Sequence, residues 1–175
     1  MWGIPSIVYG LFGLGAFVLF MGLGTSIIAG SLTLGIMTMP VVISTAEEAI
    51  LSVPQQFRTV SLSLGASRWQ TIRHQVLPHA VPGIITGVIL GLGRAAGETA
   101  PILFTVAAFY LPNLPRSIFD QTMALPYHLY VISTQVPGMP LRLQYGTALV
   151  LLLLVLTLTL VASLVRTIMR QRREW

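Results

Sequence analysis

Residues 64–78 read LGASRWQTIRHQVLP, a polar segment with two arginines between strongly apolar stretches. The chain as a whole contains 54% hydrophobic and only 9% charged residues, and its mean hydropathy is +0.82. A soluble domain carries about 25% charged residues. So few charges could not cover a water-facing surface, and the composition predicts a membrane protein.

The residue types that are missing exclude several functions. The chain has no cysteine, which excludes disulfides, thiol catalysis and thiolate metal sites. It also has no lysine, so all ten basic residues are arginine, and a P-loop needs its lysine on the nucleotide phosphates. The formal charge of +5 does not indicate nucleic-acid binding, because the arginines flank apolar runs instead of forming one patch. His74 and His79 lie about 140° apart on a helix, so no metal site is predicted.

Four apolar runs are each long enough for a membrane span of about 20 residues. We predict an all-helical, polytopic membrane protein with about four transmembrane helices, in the runs Ile4–Leu23, Ser26–Ile43, Ala80–Tyr110 and Leu143–Val165. A proline-rich connection, residues 111–142, precedes the last run. On one side of the membrane the loop 46–79 and the C-terminal tail hold seven arginines, and the other side holds Arg116 and Arg142. This excess predicts that the loop and the C-terminus are cytoplasmic.

The arginine-bearing segment is predicted to form a helix over about Thr59–Gln75. Gly65 favours a break or a close backbone contact, and Pro78 suits the first turn of the next helix. Two interpretations remain open from the spacing. The segment is either an amphipathic helix lying on the inner leaflet or a docking helix that inserts into a groove of a partner.

A second candidate site lies inside the third apolar run. Arg94 and Glu98 are about 40° apart on one helix face, which also carries three glycines at positions 83, 87 and 91. Charges are too costly to face lipid, and Pro101 is expected to bend or end the helix just past Glu98. The arginine is therefore either an oxyanion binder or one half of an ion pair that only fixes helix packing.

The segment 59–78 resembles the EAA loop of ABC importer permeases, which have the MetI-like fold. Gly65, Leu77 and Pro78 match that pattern, whereas Thr59-Val60-Ser61 stands at its Glu-Ala-Ala positions and Gln75 at its isoleucine. Residues 65–72 and the run RAAGETAP at 94–101 resemble the PstA family of phosphate permeases. The resemblance covers nearly all 175 residues as one permease domain, and it begins partway along the family pattern, so about two N-terminal spans are expected to be missing.

The resemblance implies a transport subunit of an ATP-driven phosphate importer, not an enzyme, in a bacterial-type inner membrane. The expected partners are a PstC-like permease, an ABC ATPase dimer that uses the ATP, an extracytoplasmic phosphate-binding protein, phosphate and membrane lipid. The chain itself is expected to bind no cofactor. The implied substrate-path residues are Arg94, Glu98 and Thr99. The implied ATPase-coupling residues are Gly65, Ala66, Arg68, Trp69, Arg73, Leu77 and Pro78. The alternatives are a permease for molybdate or sulfate, and a non-transporting scaffold or fragment that binds the ATPase.

Overall fold

The computed structural model describes residues 4–171, and within that range the regular secondary structure is helical. A single isolated bridge pairs Ala107 with Thr122. The all-helical class predicted from the sequence is therefore confirmed. The helices in chain order are α1 Ser6–Gly13, continued by the π-helical turn Leu14–Phe20, α2 Ile27–Leu51, α3 Gln55–Ser63, α4 Arg68–Thr71, continued by the π-helical turn Ile72–Val76, α5 Leu77–Gly97, α6 Ala100–Thr105, α7 Leu125–Thr134 and α8 Leu141–Gln171.

Among the residues that the structure describes, three helical stretches are long and apolar enough to cross a membrane, where the sequence predicts about four. They are Ile27–Leu51, Arg68–Gly97 and Leu141–Val161, with lengths of 25, 30 and 21 residues. The first predicted span forms only the shorter helix Ser6–Phe20, because the chain leaves the helix at Met21 and the two glycines that follow have positive φ. At 1.5 Å per residue, this helix is shorter than a hydrocarbon core of about 30 Å.

The third predicted span, Ala80–Tyr110, is divided in the structure. Helix α5 ends at Gly97 and the short helix α6 follows from Ala100. Pro101 explains the division, because its ring would clash with the carbonyl of Gly97 and it has no N–H to donate there. The sequence predicts that Pro101 bends or ends the helix just past Glu98, and α5 ends at Gly97, one residue before it. The continuation of the span to Tyr110 is wrong.

The first compact unit comprises Met1–Thr38 and Gly93–Thr157. In it α6 lies against α1, where Gly10 faces Ala100 and Phe104. A buried apolar cluster joins α6 to α7 and consists of Ile102, Val106, Tyr127 and Val131. These contacts fix α6 from two sides, so the chain that follows α5 is held by tertiary packing.

The start of α2 in this unit is closed by backbone carbonyls from other segments. Ser26 donates its N–H to the Thr105 carbonyl at 2.9 Å, Ile27 to Asp120 at 2.9 Å and Ile28 to Ile118 at 3.0 Å. The first N–H groups of a helix lack intrahelical acceptors, and here the last residue of α6 and the loop after it supply them. The loop is thereby tied to the start of α2.

The second compact unit comprises Met39–Leu92 and Leu158–Trp175. Within it the second half of α2 packs on the first half of α5, where Gly83 and Gly87 lie against Ala49 and Thr45. Small residues allow such close approach of membrane helices. A buried cluster of Val53, Val76 and Ala80 lies beneath the turn between α2 and α3.

Candidate functional site

Residues 94–99, here named the charged turn, comprise the last turn of α5 and the two residues that join it to α6. Arg94 donates from Nε to Oε1 of Glu98 at 3.3 Å, and the side chains are 43% and 18% exposed. Charge-assisted N–H···O bonds are normally 2.7–2.9 Å long, so this contact is a loose one. Arginine has five N–H donors, and the described residues supply Arg94 with this one acceptor. Most of its donors thus remain open to another partner.

The geometry of the charged turn follows from the end of α5 and the start of α6. Glu98 closes the last turn of α5 with a bond from its N–H to the Ala95 carbonyl at 3.3 Å. Thr99 is the N-cap residue of α6, and its carbonyl accepts the N–H of Leu103 at 2.9 Å. Pro101 in the next turn is fully buried. A partly exposed ion pair is therefore held against a buried, proline-started helix.

The structure brings the predicted substrate-path residues Arg94, Glu98 and Thr99 together in one turn. The sequence predicts that Arg94 and Glu98 share one face of the same helix. In the structure Glu98 lies just past the last residue of α5. The ion pair between Arg94 and Glu98 is present as the four-residue spacing indicates. The role of these residues in an anion path stays a prediction.

Residues 55–78, here named the helical hairpin, form the second candidate site. In place of one helix over Thr59–Gln75, the chain forms α3, a turn at Leu64–Ser67, and α4. Gly65 makes the turn with a φ of +82°, a conformation that residues with a Cβ rarely adopt. The break that the sequence predicts at Gly65 is confirmed, and the single continuous helix is wrong.

The second arm of the helical hairpin begins with a capping box. The Ser67 hydroxyl accepts the N–H of Gln70 at 3.2 Å, and the Gln70 side chain accepts the N–H of Ser67 at 2.8 Å. Two donors that a helix start leaves unpaired are satisfied in this way. From Arg68 the arm runs on into α5 through the π-helical turn Ile72–Val76. Pro78 lies in the first turn of α5, as the sequence predicts, and the helical stretch runs on through it from Arg68.

Most of the predicted coupling residues lie on the surface of the helical hairpin. Trp69 is 68% exposed, Leu77 is 42% exposed, and Gly65, Arg68 and Arg73 are also exposed. Ala66 and Pro78 are half-buried. An exposed tryptophan beside two arginines is typical of a protein interface, since these residue types dominate binding energies.

A groove of about 420 Å³ opens along the helical hairpin. Its lining comes from α3, the turn and the π-helical turn, and comprises Gln56, Phe57, Val60, Ser61, Leu64, Ala66 and Gln75. The lining is apolar at Phe57, Val60 and Leu64 and also includes the amide and hydroxyl groups of its other residues. Such a mixture suits a protein side chain better than an ion.

Arg58 in the helical hairpin makes a contact with α2 that the sequence does not indicate. Its Nη2 donates to the carbonyl of Ile50, in the last turn of α2, at 2.8 Å. From the sequence, Arg58 counts only among the arginines that indicate topology. The contact depends on the sharp turn at Ser52–Pro54, which brings α3 back beside the end of α2.

Comparisons with known proteins show the family of the chain. The sequence matches the family described as "Binding-protein-dependent transport system inner membrane component" over residues 1–175. A Phosphate transport system permease protein PstA 1 of Mycobacterium tuberculosis is 36% identical over 172 residues, which are 98% of this chain and 56% of the relative. A PstA protein of Mycobacterium leprae is 37% identical over 171 residues, with shares of 97% and 56%.

A third relative has a less specific name. The "Probable ABC transporter permease protein YqgI" of Bacillus subtilis is 42% identical over 144 residues, which are 75% of this chain and 49% of the relative. The chain thus spans about half the length of the curated relatives it matches. No solved structure matches the chain.

Proposed function

The chain belongs to the family of binding-protein-dependent transport system inner membrane components, and from this membership we propose that it is a permease subunit of an ATP-driven phosphate importer. The observation that carries the proposal is the 36–37% identity to phosphate permeases over 97–98% of the chain. The multi-pass inner-membrane location follows from the family and from three helices of membrane length.

In the proposed function the charged turn is part of the anion path. A charged side chain on an apolar helix is costly, which favours a functional role over a packing role. The guanidinium of Arg94 matches the oxygens of a phosphate, and its 3.3 Å contact with Glu98 is loose enough to be exchanged. Glu98 would neutralise Arg94 while no anion is present, and the anion would take its place. Thr99 would add a hydroxyl donor beside them.

The helical hairpin would be the docking element for a separate ATPase. Its exposed Trp69, Arg68 and Arg73 would form the contact surface, with the groove beside Phe57 and Val60 receiving a side chain of the ATPase. The second arm continues into α5 without a break, so a push on the hairpin would move this helix directly. Closure of the ATPase around ATP would in this way switch access to the path. The hairpin would lie in the cytoplasm, as the arginine distribution predicts.

The other partners follow from the family and the residue types. A second permease of the PstC type would complete the path, two ATPase copies would bind the hairpins, and an extracytoplasmic binding protein would deliver phosphate. The chain would bind no nucleotide itself, because it has no lysine for a P-loop. It would accordingly be a transport subunit and not an enzyme.

Reconstituted uptake tests the proposal. The chain, expressed from its native gene context with its permease and ATPase partners, is placed in vesicles with the binding protein, and labelled phosphate uptake is followed with and without ATP. We expect uptake that disappears when the ATPase is replaced by an inactive variant. An excess of molybdate or sulfate should leave it unchanged. Strong competition by either anion would assign the path to that oxyanion, and uptake no greater than with the inactive ATPase would refute transport.

A further inference from the structure

Helix α3 is fastened to the end of α2 by one charged side chain. Arg58 donates from Nη2 to the Ile50 carbonyl at 2.8 Å, and the N–H of Val53 approaches the same oxygen at 3.4 Å. The last carbonyls of a helix lack intrahelical donors, and a cation there also complements the helix dipole. The end of α2 is therefore a strong acceptor site, and Arg58 occupies it.

The burial of Arg58 shows that this contact restricts the side chain. The residue is half-buried, and its Nε is buried without a hydrogen-bond partner among the described residues. Burying an unsatisfied donor opposes folding. An arginine without a structural role would turn its guanidinium to water. The fold therefore holds Arg58 in place although the buried Nε lowers the stability.

Two further contacts fasten α3 to the other arm. The hydroxyls of Ser61 and Thr71 are hydrogen-bonded at 3.0 Å, and Thr71 is buried. The rings of Phe57 and His79 are stacked with centroids 5.1 Å apart. Both contacts tie α3 to the continuous helix that contains α4 and α5. Helix α3 is thus joined to α5 through Ser61 and Phe57, and to α2 through Arg58.

We propose that Arg58 is a positioning residue that transmits movement of the helical hairpin to α2. The inference rests on the proposed function, in which the ATPase displaces the hairpin. Because the second arm is covalently continuous with α5, α5 follows the hairpin without any further contact. Helix α2 packs directly on α5, where Ala49 and Thr45 meet two glycines. Its connection to α3 is the short turn at Ser52–Pro54, and the Arg58 bond fixes the geometry of that turn. With that bond, α3 and the C-terminal end of α2 move as one body.

Distance measurements test the connection without relying on transport. The chain has no cysteine, so spin labels at Glu48→Cys on α2 and Thr59→Cys on α3 report one defined distance in the assembled transporter. Both positions are exposed. We expect the same narrow distance distribution with and without ATP. A shift of the distribution between the two states would overturn the proposal, and this result needs no substitution of Arg58.

Substitution of Arg58 then tests the coupling. Arg58→Ala should broaden the distance distribution and lower phosphate uptake per ATP hydrolysed by about fivefold, with ATP hydrolysis retained. Arg58→Lys should restore part of both, since an ammonium can still reach the carbonyl. Arg142→Ala is the matched control, because Arg142 is an exposed arginine outside the hairpin, and neither readout should change.

The outcomes separate this inference from the proposed function. A broadened distribution with unchanged uptake per ATP would reduce Arg58 to a cap of α2 and overturn the proposal, as would an unchanged distribution. If Arg58→Ala does not assemble, Arg58→Lys and the unsubstituted double-label protein still give the distances. If the unsubstituted assembly takes up no phosphate, the proposed function fails, whereas the distances with and without ATP still decide whether α2 and α3 move together.

Discussion

The charged turn and the helical hairpin both interrupt apolar helices, but different forces shape them. The hairpin turn is made by its own residues, with Gly65 at φ +82° and the reciprocal bonds of Ser67 and Gln70. The charged turn has only one local cause, Pro101, and is otherwise held by the packing of α6. A turn with local causes can be predicted from a short sequence window, whereas one held by packing needs the rest of the fold.

The two sites also treat charge differently. Arg94 is paired with Glu98 at 3.3 Å, so the charged turn carries little net charge. In the hairpin, Arg68 and Arg73 are exposed, and they lie among apolar side chains such as Trp69. A neutralised pair suits a site that an anion enters and leaves. Exposed cations beside an aromatic ring suit a lasting contact with another protein.

Substitution of Arg94 should have the largest effect on phosphate uptake. A small effect would contradict the view that the charged turn, unlike the helical hairpin, is an anion site. We expect Arg94→Gln to lower phosphate uptake by about 10- to 100-fold, since a hydrogen bond to a charged group contributes about 1.5–3 kcal/mol. Uptake by the reconstituted transporter is the measurement, with Arg142→Gln as the matched control. Equal uptake by the two variants would mean that Arg94 only packs the helix.

At the hairpin, Gly65→Val should uncouple the transporter while Gly65→Asn should be milder. A residue with a Cβ in the left-handed region costs about 1–2 kcal/mol, a β-branched one is a greater outlier, and asparagine tolerates the region best. We expect ATP hydrolysis to continue with little uptake in the valine variant. Normal uptake per ATP in Gly65→Val would show that the turn geometry does not matter for coupling.

Packing of α6 can be tested at Gly10. A Cβ at this position would lie 2.9 Å from the Ala100 carbonyl oxygen, whereas a Cβ at Gly15 would meet nothing within 4 Å. Gly10→Leu should therefore destabilise the protein by about 1–3 kcal/mol through overpacking, with Gly15→Leu as the control. Thermal unfolding of the purified protein measures the difference. Similar melting of both variants would contradict a tertiary origin of the charged turn.

The local origin of the hairpin predicts a smaller effect at Ser67. Loss of the N-cap hydroxyl in Ser67→Ala should cost about 1 kcal/mol and speed hydrogen exchange of the amides in residues 69–72. Ser63→Ala is the control, because the Ser63 hydroxyl donates to the Thr59 carbonyl in the preceding turn of its own helix. Unchanged exchange in Ser67→Ala would mean that tertiary contacts alone hold this arm.

The smallest expected effect is the pH dependence of the loop after α6. The Asp120 carboxylate accepts the N–H groups of Arg116 and Ser117, and these bonds lower the pKa of Asp120 from its ordinary value of 3.8. A lowered pKa in the folded state means that the ionised carboxylate stabilises the loop above pH 4 and that this contribution is lost as pH falls through the lowered pKa.

The thermal stability of Asp120→Asn, compared with the unsubstituted protein over a pH series, measures this contribution. The asparagine variant should melt earlier near neutral pH, and the difference should shrink in acid. A difference that stayed constant with pH would exclude the carboxylate charge as its source.

Much of the fold was predictable from hydropathy because long apolar runs leave few alternatives to membrane helices. The predicted second, third and fourth spans correspond to α2, α5 and α8. The first predicted span, Ile4–Leu23, does not form a full-length helix, because Gly22 and Gly24 at its end adopt positive φ and the helix ends early. Hydropathy averages over a window and does not detect where a backbone turns.

The candidate sites were predictable to different extents. The four-residue spacing of Arg94 and Glu98 and the glycine at position 65 are local features, and the structure has the ion pair and the turn that they predict. Arg58 was missed because its partner is a backbone carbonyl, which has no sequence signature. The capping box of Ser67 and Gln70 has such a signature and could have been found at the start of α4.

The sequence alone determined the membrane class, the helical character, the position of the charged pair and the turn at Gly65, because composition, spacing and glycine conformation act within a few residues. Only the tertiary structure decided that α6 is packed on α1, and that Arg58 closes the end of α2. Those contacts join residues from separate helices, and the free energy of each depends on burial that no single segment possesses.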